Sequence, residues 1–319
     1  MDAAPLFADV ADGPEGGTAC WITAQDSVRL RVGVWNREGP AGTVLIFPGR
    51  TEYIEKYGRV AGALAACGYA SLAMDWRGQG LADRLLDDTM SGHVHHFPDY
   101  QLDVAAMVEA ASRLDLPRPW HLLAHSMGGC IGLRAVMQGL GVQSCIFSSP
   151  MWGIRMAEAL RPVAWWLSWG SHHIGLSHRY APGTTADHYV LTEPFETNRL
   201  TSDPGMWTYM QDQIRTHPEL GIGGPSLRWL YEALRETRAL SHRPSPDLPC
   251  LTILGDEEDI VDVGRVRDRM SRWPGGHLEM VAGGRHETLM DTEARRAHLF
   301  AMICDFFEKS EDRPGQAVS

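Results

Sequence analysis

The spacing of apolar residues predicts strands and helices in alternation from the start of the chain. Ala19–Thr23 and Val28–Trp35 read as two strands, and the second alternates apolar with polar side chains, as a half-exposed antiparallel strand does. Thr43–Phe47 and Tyr69–Asp75 are continuous apolar runs of strand length, which is typical of buried strands. Between them, Tyr53–Cys67 has apolar residues at helical spacing and stops before a glycine, so we predict a helix there.

The same alternation continues to the end of the chain. The further predicted elements are, in order, a helix at Asp99–Leu114, a strand at Trp120–Ala124, a helix after Ser126, strands at Ser144–Ser148 and Cys250–Leu254, a helix at Val263–Trp273, a strand at Leu278–Val281 and a helix at Glu293–Lys309. An antiparallel start followed by repeated strand–helix units implies a mostly parallel sheet with helices on both faces. We therefore predict a three-layer α/β fold.

One region departs from this rhythm. Residues 150–224 contain clusters of Trp, Arg, His and Pro but no clear strand–helix unit. Because insertions at the carboxyl edge of a parallel sheet lie over the ligand crevice, we predict a lid inserted into a core of residues 18–149 and 225–309. Residues 1–17 are acidic and rich in Pro and Gly, so we expect a flexible leader, and residues 310–319 predict a disordered polar tail.

Composition and charge narrow the classes of partner. The 319 residues are 44% hydrophobic and carry a net charge of −11, which is typical of a globular protein and argues against binding to nucleic acid phosphates. No segment approaches the roughly 18 uninterrupted apolar residues of a membrane span. The leader also lacks the basic start and apolar stretch of a signal peptide.

Six cysteines stand singly in apolar segments without any CxxC pattern; they are Cys20, Cys67, Cys130, Cys145, Cys250 and Cys304. In a chain of this length the pattern predicts buried free thiols in a reducing compartment. We therefore predict a cytoplasmic protein, and we leave open a peripheral contact with the inner membrane.

The segment around Ser126 predicts a nucleophilic serine. It follows an apolar strand and precedes a run with helical spacing, which is the layout of a strand–turn–helix nucleophile elbow. The turn tolerates only small residues two positions before and after the serine, and here these are Ala124 and Gly128. A serine at a helix N-terminus also meets free N–H groups and a dipole that favour negative charge.

A base and an acid should follow the nucleophile in the order serine, acid, histidine. His286 lies in a glycine-rich loop between a predicted strand and the last helix, which is where the base belongs. The acid is ambiguous from the residues alone, because residues 256–262 carry five carboxylates directly after a predicted strand.

Several motifs in combination resemble the bacterial lysophospholipase and monoacylglycerol lipase group of α/β-hydrolases. They are Pro48–Tyr53, Asp75–Gly80, His125–Gly129 and Gly284–Glu287, together with Gly92, His93, Phe97, Asp99 and Tyr100 of a lysophospholipase-like stretch. The resemblance implies an α/β-hydrolase fold with a helical lid and no cofactor or metal. It implies a serine hydrolase that cleaves carboxylic esters of single-chain lipids, lysophospholipids or monoacylglycerols, through an acyl-enzyme.

The resemblance also implies roles for single residues. The acid of this group usually stands three positions after the glycine that ends the strand, which here is Glu258; Asp259 and Asp256 remain alternatives. The backbone N–H groups of Met127 and Arg50 would form the oxyanion hole.

The side chain of Arg50 has two interpretations. It could pair with Glu52 in a structural contact, which we favour, or it could meet a phosphate headgroup.

The sequence also allows three other interpretations of its function and site. The same three residues could serve a peptidase, a thioesterase or an acyltransferase, because fold alone does not separate these activities. A non-catalytic binding protein is disfavoured by the intact serine and histidine motifs. The histidines of His93–His96 lack a Cys or carboxylate at ligand spacing, so we predict no metal site.

The predicted lid is rich in tryptophan, with Trp152, Trp165, Trp166, Trp169 and Trp207. So much apolar surface is unstable if all of it faces water. We expect the run from Met151 to Trp169 to line the acyl pocket above Ser126 or to rest on aggregated lipid. Packing of the lid on the sheet edge is the simpler alternative, and we expect both.

Overall fold

The computed structural model describes residues 1–157 and 160–311 and contains one nine-stranded sheet. The strands are Ala3–Ala4 (β1), Thr18–Thr23 (β2), Arg29–Trp35 (β3), Gly42–Phe47 (β4), Tyr69–Asp75 (β5), Trp120–His125 (β6), Ser144–Ser148 (β7), Cys250–Gly255 (β8) and His277–Val281 (β9). Their order in the sheet is β1-β2-β3-β5-β4-β6-β7-β8-β9. The pairs from β1 to β5 along this order are antiparallel, and all later pairs are parallel.

Ten α-helices occur in the described residues. They are Ala8–Ala11 (α1), Gly58–Ala66 (α2), Tyr100–Arg113 (α3), Ser126–Met137 (α4), Leu160–His173 (α5), Tyr189–Thr192 (α6), Pro204–Thr216 (α7), Leu227–Ser241 (α8), Val263–Ser271 (α9) and Glu293–Glu311 (α10). The predicted mostly parallel α/β fold is confirmed. The elements that were predicted singly differ from the observed ones at their ends; the helix predicted from Tyr53, for example, begins with a 3-10 turn at Ile54–Tyr57. The elements β1, α1 and α8 were not predicted.

The central strands are apolar on both faces because both faces are covered. In β4, Leu45 and Phe47 belong to one hydrophobic core, whereas Val44 and Ile46 belong to the other. This alternation is the two-residue period of a strand. The sheet therefore separates two cores, and its parallel strands read as continuous apolar runs.

The first residues are packed, contrary to the flexible leader that we expected. The strand β1 pairs with β2, and the hydroxyl of Tyr209 donates to the carbonyl of Ala11 at 2.7 Å. Gln213 donates to the carbonyl of Val10 at 2.9 Å. A Cβ on Gly58 would lie 1.8 Å from the Ala11 oxygen, so only glycine permits this approach. The partners on α7 are about two hundred positions away, and composition does not reveal them.

At the other end, α10 continues to Glu311. The remainder of the predicted tail lies outside the described residues.

The cysteine prediction was wrong for one pair. Cys67, at the end of α2, forms a disulfide with Cys304 of α10, 237 positions later. The two helices pack on the same face of the sheet, which brings these residues together. Cys130, Cys145 and Cys250 are buried free thiols, as predicted, and Cys20 is free but only partly buried. Six free thiols were the basis for predicting a reducing compartment, and the disulfide removes that basis.

Among the described residues, no helix combines the length and the apolar character needed to cross a bilayer.

The tryptophans between β7 and β8 divide into packed and exposed groups. Trp152 is buried against Phe147 and Trp273, with ring centroids 5.1 and 6.2 Å away. Trp165, on α5, meets Tyr231 of α8 edge-on at 5.5 Å.

The remaining three follow the same division. Trp207 is buried in the core, whereas Trp166 is 65% exposed and Trp169 is 40% exposed. Internal packing thus accounts for three of the five tryptophans, and one face of α5 stays open to solvent.

A buried ion-pair group fixes β3 against β5. The Arg31 guanidinium lies 2.7 Å from Asp75 and 2.7 Å from Glu55, and all three side chains are fully buried. Asp75 also accepts the backbone N–H of Ile54 at 2.9 Å, which joins the sheet to the segment before α2.

We predict that Arg31→Leu lowers the free energy of unfolding by about 3–5 kcal/mol, because it leaves two buried carboxylates without their cation. Arg29→Leu is the matched control on the same strand. Its side chain is exposed and lies 3.5 Å from Asp83, so the loss should stay below about 1 kcal/mol. Urea unfolding followed by fluorescence measures the free energy of unfolding of both variants. Equal losses would contradict a stabilising role for the buried ion pairs of Arg31.

Candidate active site

Ser126 stands at a strained turn between β6 and α4. Its φ is +48°, a left-handed value that is unusual for a residue with a side chain. The turn packs closely on the end of β4, where a Cβ on Gly128 would lie 2.1 Å from the Phe47 carbonyl oxygen. Ala124 fits because it faces Gly132, where an added Cβ would lie 3.2 Å from the Ala124 methyl group. The small residues of the motif are therefore required by close backbone approach.

The structure brings Ser126, His286 and Glu258 into one hydrogen-bonded chain. His286 Nε2 lies 2.9 Å from Ser126 Oγ, and His286 Nδ1 lies 2.8 Å from Glu258 Oε2. The other carboxylate oxygen, Oε1, accepts the backbone N–H groups of Ile260 and Val261 at 2.7 and 3.1 Å. Both Glu258 and His286 are buried.

The environment keeps Glu258 ionised. Burial raises the pKa of Glu258, but His286 and the two backbone N–H groups outweigh burial and lower this pKa to about 2. The carboxylate is therefore charged above about pH 3 and can stabilise an imidazolium beside it.

The alternative acids point elsewhere. Asp259 is partly exposed and lies 2.6 Å from Arg155 and 3.5 Å from Arg199. Asp256 accepts the backbone N–H of Gly283 at 2.6 Å, which closes the loop that leads to the histidine. Neither carboxylate contacts His286.

The two residues predicted for the oxyanion hole lie in well-fixed backbone. Met127 is buried in the first turn of α4, where backbone N–H groups have no partner within the helix. The loop that carries Arg50 follows β4, and the Glu52 carboxylate accepts the N–H of Gly49. Gln79 braces the same loop by donating to the Gly49 carbonyl at 3.0 Å.

A buried charge cluster beside the catalytic chain was missed by the sequence analysis. Lys56 Nζ lies 2.6 Å from Glu52 and 2.6 Å from Glu287, and His125 Nε2 lies 3.5 and 3.4 Å from the same two carboxylates. The other ring nitrogen of His125 donates to the Ser148 carbonyl at 3.1 Å. A signal was present, since Lys56 is one of only two lysines and stands four positions after Glu52.

Mutual pairing sets the charges in this cluster. Burial lowers the pKa of His125, but Glu287 and Glu52 outweigh burial and raise it, and the same two carboxylates raise the pKa of Lys56. Lys56 and His125 hold the pKa of Glu287 well below its usual range despite its burial. Two carboxylates thus face one ammonium and one imidazole.

Among the described residues, Glu52, His125 and Glu287 form the single group of potential metal ligands. The Lys56 ammonium lies 2.6 Å from each carboxylate and would repel a metal ion, so this donor set does not suit one. His93, which we considered for a metal, instead lies 2.9 Å from Ser226 Oγ and 3.4 Å from His95.

The predicted pairing of Arg50 with Glu52 was wrong. Glu52 is bound to Lys56 and accepts the Tyr57 hydroxyl at 2.5 Å, so its oxygens are already occupied. The Arg50 guanidinium turns away and donates to the Gly223 carbonyl at 2.9 Å.

A cavity of about 500 Å³ opens above Ser126 and has the size of a small-molecule site. Its apolar lining consists of Tyr53, Tyr189, Val190, Leu200, Met210 and Ile260. None of the described residues from Met151 to Trp169 lines it, so our expectation that this run forms the acyl pocket was wrong. Trp152 packs against Phe147 and Trp273, and Trp165 packs against Tyr231. The lid residues that line the cavity come from residues 184–210 instead.

The sheet, the elbow and the Ser–His–Glu chain define an α/β-hydrolase. The chain belongs to the Hydrolase_4 family, described as serine aminopeptidase, S33, whose sequence model matches residues 38–293.

Named relatives narrow this class. The chain is 30% identical to "Lysophospholipase L2" of Escherichia coli, with 92% of this chain and 88% of the relative covered. It is 26% identical to "Probable lysophospholipase L2" of Haemophilus influenzae, with 82% of each covered. The crystal structure of a soluble variant of monoglyceride lipase from Saccharomyces cerevisiae matches with a TM-score of 0.70 at 18% identity, covering 91% of this chain and 94% of that one. The resemblance is therefore confirmed, and the chain is a carboxylic ester hydrolase.

We predict that Glu258→Gln lowers kcat by about 10²–10⁴-fold, because the amide keeps the shape of the side chain but cannot stabilise an imidazolium. Asp259→Asn is the control, because it lies one position away and makes the same change of charge. It should lower kcat less than about threefold, because Asp259 is partly exposed and pairs with Arg155 rather than with His286. Steady-state hydrolysis of a soluble ester measures both. A larger effect at Asp259 would move the acid by one residue.

Proposed function

We propose that this chain hydrolyses the carboxylic esters of single-chain lipids, lysophospholipids or monoacylglycerols, through an acyl-enzyme on Ser126. The observation that carries the proposal is the Ser126–His286–Glu258 chain beneath a partly apolar cavity. The similarity to a lysophospholipase and to a monoglyceride lipase supports this class of substrate.

The geometry supports a two-step mechanism. His286 Nε2 takes the proton from Ser126 Oγ as this oxygen attacks the ester carbonyl, and Glu258 stabilises the resulting imidazolium. The N–H groups of Met127 and Arg50 donate to the oxyanion. The alcohol leaves with the proton from His286, and the acyl group stays on the serine. His286 then takes a proton from a water molecule that attacks the acyl-enzyme, and it returns this proton to Ser126 Oγ as the fatty acid leaves.

Residues 150–224 act in this proposal as a lid. His188, Val190, Leu200 and Met210 from this region line the cavity, so they are placed to contact a substrate bound at Ser126. The apolar residues suit an acyl chain, because burial of each methylene contributes roughly 0.8 kcal/mol.

The open face of α5 supports peripheral contact with lipid. Val163, Trp166, Leu167 and Ile174 are exposed at helical spacing along this face and its end. With a net charge of −11, the protein suits a neutral or zwitterionic surface better than an anionic one. A cytoplasmic location beside the inner membrane remains a prediction from the sequence.

We predict that Ser126→Ala lowers ester hydrolysis by about 10⁵–10⁶-fold, because the catalytic residues act as a unit. A fluorophosphonate should label the wild-type chain and not the variant. A panel of lysophospholipid, monoacylglycerol, thioester and amino-acid amide substrates then separates the reaction classes. Preferred cleavage of the amides would favour a peptidase, and an unlabelled wild-type chain would contradict the acyl-enzyme.

We also predict that Trp166→Ser weakens binding to zwitterionic vesicles about tenfold, because an exposed indole no longer enters the interface. Cleavage of a soluble acetate ester should remain unchanged. Trp21→Ser, on β2 at the antiparallel edge of the sheet, is the control. Vesicle sedimentation measures both variants, and equal losses would show that α5 has no special contact with lipid.

A further inference from the structure

The guanidinium of Arg50 carries a charge that the protein leaves unpaired. Within the described residues it has no carboxylate partner, and a single hydrogen bond joins it to the Gly223 carbonyl at 2.9 Å. A guanidinium offers five N–H donors, so most of its capacity is unused. Burial lowers the pKa of Arg50 to about 10, and the group is therefore still cationic at neutral pH.

Other buried arginines of this protein are satisfied. Arg31 and Arg77 each hold a buried carboxylate, at 2.7 Å from Asp75 and 2.6 Å from Asp103. Arg84 has no such partner but donates to four backbone carbonyls at 2.7 to 3.3 Å. Arg50 differs from these in lining the cavity above Ser126.

A second unpartnered group lines the same cavity. His188 is only 6% exposed, and neither of its ring nitrogens meets the geometry of a hydrogen bond with the described residues. Burial lowers the pKa of His188 to about 4; the nearby backbone of Thr51 opposes this shift, and the charges of Arg50 and Lys56 reinforce it. Arg50 and His188 both line the cavity above Ser126. The neutral ring still carries one N–H donor, and an unsatisfied buried donor is costly.

The carboxylates of the lining do not cancel this positive charge. Glu52 and Glu287 already face Lys56 and His125, and the third carboxylate of the lining, Glu193, shares it with a further cation, Arg199. A cation beside a free N–H donor is the combination that recognises a phosphate oxygen.

The reach of Arg50 fits a glycerophospholipid. Its extended side chain spans about 6 Å from Cα to the guanidinium carbon, and the carbonyl carbon and the phosphorus of a lysophospholipid are about 7 Å apart when extended. One residue can therefore offer its N–H to the ester and its side chain to the headgroup.

We propose that Arg50 and His188 bind the phosphodiester of a lysophospholipid while its ester lies at Ser126. This inference rests on the proposed function. The subsite selects a phosphorylated single-chain lipid over a monoacylglycerol with the same acyl chain.

The test compares kcat/KM for lysophosphatidylcholine and monoacylglycerol of equal chain length. Arg50→Met should lower the ratio of the two values, lysophospholipid over monoacylglycerol, about 30- to 100-fold, because any disturbance of the oxyanion hole acts on both esters alike and a lost headgroup contact acts on one. Arg215→Met, which removes an exposed cation on α7, should leave this ratio unchanged. His188→Leu should lower the ratio about tenfold, and His188→Asn, which keeps a donor, should restore part of it.

The midpoint of thermal unfolding, followed by circular dichroism, shows that each variant is folded. Equal losses on both substrates, or no loss on the lysophospholipid, would overturn the inference. Inorganic phosphate is the second probe. If Arg50→Met abolishes inhibition by phosphate while lysophospholipid cleavage is unchanged, the site binds free phosphate and the headgroup assignment is wrong. A wild-type chain that cleaves neither lipid would refute the proposed function itself.

Discussion

The geometry of the catalytic site depends on the Lys56 ammonium held between Glu52 and Glu287. Glu52 fixes the loop after β4 through the Gly49 N–H, and Glu287 directly follows the base, His286. His125, which directly precedes the nucleophile, faces the same two carboxylates. Three loops that are distant in sequence therefore meet at one buried group of balanced charges. Removal of one member would leave the opposite charge buried and unpaired, which is far costlier than loss of a surface ion pair.

The hydrogen-bonded chain and the structural ion pairs use different, neighbouring residues. Ser126, His286 and Glu258 form one hydrogen-bonded chain, whereas the residues beside them carry the structural charges. Glu258 needs no cation other than the base, because two backbone N–H groups hold its second oxygen. The acid is consequently anchored by its own loop. Asp259 and Asp256 serve other contacts of that loop, which explains why five nearby carboxylates supply one acid.

The fold and the turn at Ser126 were predictable from the sequence because both follow local rules. Apolar runs mark the buried strands, and the small residues around Ser126 mark a turn that the Phe47 carbonyl closely approaches. The resemblance narrowed the acid to Glu258. The contacts of the leader, the Cys67–Cys304 disulfide and the Lys56 cluster could not be predicted, since each joins positions far apart in the chain. The prediction that the lid tryptophans line the acyl pocket was wrong for a related reason. An apolar pattern shows that a surface must be covered, but it does not specify which residues cover it.

The loop after β4 shows how one short segment can serve both reaction and recognition. Glu52 points into the buried cluster and holds the backbone, so the N–H of Arg50 has a fixed position. Because Lys56 satisfies Glu52, the Arg50 side chain is released from the pairing that its sequence position invites. Arg50 and His188 of the inserted region both line the cavity. In the proposed subsite this loop presents a cation to the substrate, and burial of that cation favours a ligand that neutralises it.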